Sequence, residues 1–128
     1  MPHLTIDYSA NLEPELDVSG LCETLRRAGI ETGVFSPAGI RVRAHRADHY
    51  AIADGGPQHA YVDIGVRLRG GRDLETRKAA TAHLFRAAEA YLEPLLASRP
   101  IALSMEMRDI DPELSPKRNT IRDHIKED

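Results

Sequence analysis

A single cysteine, no tryptophan and only 5% aromatic residues set the first limits on this chain of 128 residues. One cysteine, Cys22, excludes an internal disulfide framework and a cysteine-based zinc site. It falls on the apolar stripe of an expected helix, so it reads as a small core residue and not as a nucleophile. No apolar run approaches the about 18 residues that a membrane span needs, and 29% charged residues argue the same way. The N-terminus has neither the basic segment nor the apolar stretch of a signal peptide, which sets the expectation of a cytoplasmic protein. Neither sign of charge dominates: Lys plus Arg number 17 and Asp plus Glu 20, a formal net charge of −3. That balance gives no general attraction to nucleic acid or to an anionic membrane, so any anionic ligand has to be held by a local cluster of arginines. Two catalytic signatures are missing. The RGGR stretch at 69–72 lacks the Lys-Ser/Thr of a P-loop, and no G-x-S-x-G element occurs.

What is present is a hydrophobic content of 41%, enough for one core, and a length that suits one domain over residues 1–128. Residues 3–8 alternate, with Leu4, Ile6 and Tyr8 on one face and His3, Thr5 and Asp7 on the other, which predicts a half-buried strand. Val18, Leu21, Cys22, Leu25 and Ala28 recur at three and four, a helical stripe with Asp17 as N-cap and Gly33 as stop. After the SPAG turn, Gly39 to His45 alternates again, with Ile40, Val42 and Ala44 opposite Arg41, Arg43 and His45. Residues 46–59 form the longest connection and carry the Asp54-Gly55-Gly56-Pro57 turn cluster. A third strand runs from about Ala60 to Leu68. Asp73 then caps a long helix whose stripe is Leu84, Phe85, Ala88, Leu92, Leu95 and Leu96, and Pro94 is expected to kink or break it. The fourth strand is Ile101 to Arg108. Ser115-Pro116 reads as N-cap and first residue of a short C-terminal helix anchored by Ile121 and Ile125. Lys117, Arg118 and Arg122 then read as its solvated face, with contact to a neighbouring subunit as the alternative.

The order is strand–helix–strand, long loop, strand–helix–strand: a duplicated βαβ unit with half-repeats at about 2–46 and 60–109 and a tail at 110–128. The fold class is α+β. Each crossover makes its two strands parallel, and the single apolar side of every strand requires both helices on one face of a four-stranded mixed sheet. The other face carries Thr5, Asp7, Arg41, Arg43, Asp63, Arg67 and Glu106. So charged a face is either solvated or paired with another subunit.

Three arginines sit where strands and turns meet. Arg41 opens the second strand, Arg43 follows two residues on, and Arg72 lies beside the N-terminus of the second long helix. An isolated arginine is usually solvated surface charge. A guanidinium also grips carboxylates bidentately, and a helix N-terminus adds favourable partial charge, so Arg72 is the better clamp candidate. His45, His49 and His59 share a loop that is not expected to be helical. Their spacing therefore carries little weight, and they read as surface histidines with no metal site.

One further feature stands at the start, where Met1 is followed by Pro2. A duplicated βαβ chain that opens Met-Pro and has arginine at its second strand resembles the tautomerase superfamily. Within it, MPH at the start, PAGIRVRAH (37–45), ADG (53–55), GRDLETR (71–77) and ALSMEM (102–107) resemble the 5-carboxymethyl-2-hydroxymuconate isomerase family. The resemblance covers residues 1 to about 109 and fades in the tail. It implies a homotrimer with sheets packed around a central axis, which would account for the charged sheet face. It also implies isomerisation of a small polycarboxylate dienol to its conjugated 2-oxo isomer, in the homoprotocatechuate route of aromatic-acid breakdown. Pro2 matches the family's catalytic proline. Arg41 and Arg72 match positions that bind substrate carboxylates and polarise the oxyanion, and Arg43 is a further carboxylate-binding candidate. The Asp54–Pro57 cluster and Pro94 depart from the family pattern without touching these residues.

The implied chemistry is physically coherent. Carrying a proton from a hydroxyl to a carbon three atoms away needs one group that is base and then acid, with a pKa near ambient pH. A free proline amine is too basic in water, but an apolar pocket and nearby arginines disfavour its cation. The same arginines attract the substrate and stabilise its developing charge, and no metal or organic cofactor is required. All this needs Met1 removed, since an acylated Pro2 nitrogen is an amide; a small second residue favours that removal. Two other readings remain at this stage. One keeps the superfamily and changes the reaction to decarboxylation, hydration or dehalogenation of a related acid. The other is a non-catalytic ligand-binding trimer. Sheet-face RNA binding by a ferredoxin-like domain has the same element order, but few aromatics, no RNP-type motif and net negative charge speak against it.

Overall fold

A computed structural model describes residues 2–125. Four strands, β1 (His3–Ser9), β2 (Arg41–Ala47), β3 (Ala60–Arg69) and β4 (Ile101–Ile110), and two helices, α1 (Val18–Glu31) and α2 (Leu74–Ser98), follow the expected order. The sheet runs β2-β1-β3-β4. β1 pairs parallel with β2 and β3 parallel with β4, while β1 and β3 meet antiparallel at the centre. This is the mixed sheet that two βαβ units predict.

Periodicity explains the layers. In β3, Ala60, Val62, Ile64, Val66 and Leu68 are buried and alternate with more exposed neighbours, the period of two that gives a strand one dry face. Leu4, Ile6 and Tyr8 of β1 extend that face. α1 covers it with Leu21, Leu25, Ala28 and Gly29, and α2 with Ala80, Leu84, Ala88 and Leu92, spaced by four. Each fully buried Leu or Ile contributes about 1.5–3 kcal/mol of transfer free energy. The apolar residues of edge strand β4, Leu103, Met105 and Met107, are only half-buried against this core. Cys22 packs partly buried on the same cluster, and burial pushes its thiol pKa up, consistent with a core role.

The caps are those the sequence predicts. Asp17 accepts from the Gly20 amide at 3.0 Å and Asp73 from the Thr76 amide at 2.8 Å. Gly33, just past α1, has φ +74°, a conformation other residues adopt at a cost. Two expectations need correcting. Pro94 does not break α2, which continues to Ser98. Proline removes one helical donor, but Leu92 is buried and Leu95 and Leu96 pack on the core, so the last turn is held by its side chains. Nor do Ser115 and Pro116 begin a helix. Ser115 closes a 3-10 turn at Pro112–Leu114, and a second such turn at Ile121–His124 is the tail's remaining regular structure among the described residues. Ile121 and Ile125, the expected anchors, are 51% and 40% exposed. Two apolar residues that bury so little do not offset the cost of nucleating a helix. No helix among the described residues is long and apolar enough to cross a membrane.

Candidate active site

Strand direction decides what meets Pro2. β1 starts at one end of the sheet, and β2, being parallel, starts there too. β3 runs the other way and ends there, with His3 opposite Arg67. β4, parallel to β3, ends there as well. The start of the chain, the turn into β2, the turn out of β3 and the tail after β4 therefore converge at one end of one sheet. There they enclose a cavity of about 310 Å³ lined by Pro2, Phe35, Leu68 and four cations: Arg69, Arg72, Lys117 and Arg122. Among the described residues, none that lines it carries a carboxylate.

Local structure fits this closure. Pro2 is buried, and its carbonyl accepts from the Arg41 amide at 3.3 Å, which holds the residue at the head of β1 and β2. A Cβ on Gly39 would stand 3.1 Å from Ser36 Oγ and 3.4 Å from Pro2 Cδ, so glycine lets the turn close against the proline ring. Gly71 has φ +115°, and this turn sets Arg72 just before the N-cap of α2. The Arg72 guanidinium donates to the carbonyls of Arg69 at 3.1 Å and Val34 at 2.9 Å. Two neutral acceptors orient it while leaving its charge unneutralised.

The arginines named from the sequence separate into two places. Arg72 shares the cavity with Pro2. Arg41 lies next to Pro2 through the backbone, but its side chain belongs to the open sheet face and does not line the cavity. Its Nε and Nη2 are buried and find no acceptor among the described residues. A desolvated cation in that state is costly unless an anion meets it. Arg43, farther along the same face, places Nη1 3.2 Å from His3 Nδ1. His45 and His49 are exposed, and His59 Nε2 lies 2.7 Å from Asp54 Oδ1. No group of three metal-binding side chains occurs among the described residues.

His3 records the charge at this end of the sheet. Burial first, then Arg41, Arg67 and Arg43, lowers its pKa from 6.5 to about 4. Between those values the unfolded chain binds the proton and the native chain resists it. His3 therefore contributes stability fully above pH 6.5, and loses it as pH falls toward about 4. Urea midpoints measured across that window should drop on acidification, and His3→Gln should flatten the drop. The same slope in the variant would remove His3 as its cause.

Arg69, Lys117 and Arg122 were not recognised as site residues from the sequence. Arg69 could have been suspected, since it sits in the same turn as Arg72. Lys117 and Arg122 carried no local signal. Their expected place on a solvated helix face is corrected by the absence of that helix, because the non-helical tail turns back over the cavity.

Comparisons with known proteins identify the relatives of this chain. The family model for 5-carboxymethyl-2-hydroxymuconate isomerase matches residues 2–125. The chain is 36% identical over 121 residues to a 5-carboxymethyl-2-hydroxymuconate Delta-isomerase of Escherichia coli, covering 94% of this chain and 96% of that one. A crystal structure of a 5-carboxymethyl-2-hydroxymuconate delta-isomerase superimposes with a TM-score of 0.91 at 31% identity, over 97% of this chain and 92% of that one. At 19% identity a fused 4-OT protein, described as a symmetric trimer, shares the fold with a TM-score of 0.65, over 87% of this chain and 88% of that one.

Proposed function

The chain belongs to the 5-carboxymethyl-2-hydroxymuconate isomerase family, and we propose that it isomerises 5-carboxymethyl-2-hydroxymuconate, or a closely related dienol acid, with Pro2 as the proton carrier. The observation that carries this is the cavity: a buried proline at the head of β1, lined together with four cations and, among the described residues, no carboxylate. Once Met1 is removed, Pro2 presents a secondary amine against the apolar walls of Phe35 and Leu68. Desolvation and the nearby cations both disfavour the ammonium form, which brings the amine into the range of a general base.

The reaction then balances as a proton shift. Pro2 takes the proton of the 2-hydroxyl, and the oxygen's electron pair becomes the C2=O bond. The C2=C3 pair moves to C3=C4, and the C4=C5 pair accepts the proton from Pro2 at C5. The product is the conjugated 2-oxo isomer, and oxidation state does not change. Arg72, held by two carbonyls, binds a carboxylate or the developing oxyanion. Arg41, whose Nε and Nη2 are buried without an acceptor among the described residues, is assigned to a substrate carboxylate that reaches the sheet face, and Arg43 to the approach along that face. The assembly is assigned as a homotrimer. In support, the fold is shared with a protein described as a symmetric trimer, and Arg41, Arg67, Asp63 and Glu106 form a face whose charges another copy can match.

The test pairs an intact mass with an ultraviolet assay on the 2-hydroxymuconate-type dienol. A mass lacking Met1 together with loss of dienol absorbance well above the buffer rate is the expected outcome. A chain lacking Met1 that leaves the dienol unchanged would overturn the isomerase reading.

A further inference from the structure

We propose that Thr32 is a positioning residue for Arg72: its hydroxyl fixes the chain where α1 ends, and so aims the Val34 carbonyl that holds the Arg72 guanidinium at the Pro2 cavity. The inference rests on the isomerase reading above and adds to it a residue outside the cavity lining.

The chain leaving α1 turns before it reaches the cavity. Thr32 follows the last helical residue, Glu31, and its amide still points back to the carbonyls of Ala28 at 3.3 Å and Gly29 at 3.2 Å. Gly33 comes next, with φ +74°. Its amide bonds to the Ile30 carbonyl at 3.1 Å, yet a Cβ built there would meet nothing within 4 Å, so packing does not set the torsion that leads on to Val34. Glycine is also the residue with the most backbone freedom. The Thr32 hydroxyl bridges it. Oγ1 donates to the Gly29 carbonyl at 2.6 Å and accepts from the Val34 amide at 3.1 Å, so one oxygen ties the residue beyond the glycine to the last turn of the helix. On the other side of Val34, Phe35 is buried in the core. Val34 is thus held from both directions, and its carbonyl accepts from Arg72 Nη2 at 2.9 Å.

The two acceptors that hold Arg72 differ in kind. The Arg69 carbonyl belongs to the same turn as Arg72 and moves with it. Val34 lies 38 residues away in sequence, so its carbonyl is the contact that refers the guanidinium to the rest of the fold. Val34 lines the cavity with Pro2 and Thr32 does not, so the hydroxyl acts on the site through that carbonyl. A planar guanidinium meets a carboxylate bidentately in one orientation only, and one that is free to rotate loses part of that advantage.

Thr32→Val, which keeps the shape and removes the hydroxyl, should lower kcat/KM for 5-carboxymethyl-2-hydroxymuconate by about 3- to 10-fold, the size expected for one neutral hydrogen bond. Thr32→Ser should recover the native value. In an Arg72→Ala chain, the added Thr32→Val should lower kcat/KM by less than about 2-fold, because the group it acts through is gone. A second readout needs no turnover. In an isotope-labelled chain the hydrogen-bonded Arg72 should give resolved Nη–H resonances, assigned by their loss in Arg72→Ala, and these should merge in Thr32→Val. Equal losses in the native and Arg72→Ala backgrounds, a Thr32→Ser chain as slow as Thr32→Val, or Arg72 resonances unchanged by Thr32→Val would each overturn the proposal. Resonances that are resolved in the native chain and merge in Thr32→Val, while a native chain lacking Met1 leaves the dienol unchanged, would overturn the isomerase reading and leave the positioning role standing.

Discussion

Replacing Pro2 with alanine should lower kcat by about 10²- to 10⁴-fold, the range for removing a positioned proton carrier. The substitution is informative because alanine is also small enough to allow loss of Met1. The variant then keeps an amine at the chain end but loses the secondary, ring-locked one. In the native chain the ring is buried against the Gly39 turn, and the carbonyl is fixed by the Arg41 amide, so the nitrogen has little freedom. Alanine's amine can rotate and be hydrated, and both changes separate it from the dienol hydroxyl. Intact mass must be measured on both chains, since retained Met1 would abolish base function in either. Circular dichroism should show the same fold, because β1 is held from His3 onward on both sides. A processed Pro2→Ala chain that turns over at the native rate would exclude Pro2 as the carrier.

Arg72→Ala should reduce kcat/KM by about 10²- to 10³-fold, the usual cost of losing one preorganised charge at a developing oxyanion. The helix beside it should survive, because Asp73 caps α2 through the Thr76 amide without help from Arg72. The stronger signature is the pH profile. The base must be neutral, so the rate falls on the acid side of its pKa. Removing a cation that disfavours the ammonium raises that pKa, and the acid limb should move to higher pH. A merely structural arginine would lower the rate without moving the limb. Arg72→Lys should recover only part of the loss, because one ammonium cannot bridge the Arg69 and Val34 carbonyls and still present a planar fork to a carboxylate. An unchanged rate and limb in Arg72→Ala would leave the Pro2 cavity with no role for its best-oriented cation.

Much of this molecule is legible in its sequence because the signals concerned are local. The alternation in β1 and β3 and the four-residue spacing of Ala80, Leu84, Ala88 and Leu92 report which side of each element is dry, and nothing distant is needed to read them. Asp17 and Asp73 cap amides three residues away. Two βαβ units, each making a parallel pair, leave few ways to assemble one sheet. Pro2 and Arg72 could be singled out for the same reason: one is marked by its place at the chain start, the other by its place before a cap.

The remainder depended on closure of the whole chain. Pro94 has the wrong local propensity for a helix interior, yet α2 passes through it because packing of the following leucines outweighs one missing donor. The tail has good local signs of a helix at Ser115-Pro116 but too little apolar surface to hold one, and a bond from Asn119 to Ala38 ties it to the turn before β2. That bond joins residues 81 apart, and no periodicity or cap motif encodes it. The sequence by itself thus determined the elements, their dry faces and the proline at the head of β1. The tertiary structure alone decided that four strand ends meet at one place, and that Lys117 and Arg122 line the same cavity as Pro2 while Arg41 and Arg43 lie on the open face. Local chemistry acts within a turn or two of its own residue, whereas the make-up of a site formed from chain ends depends on strand direction and register.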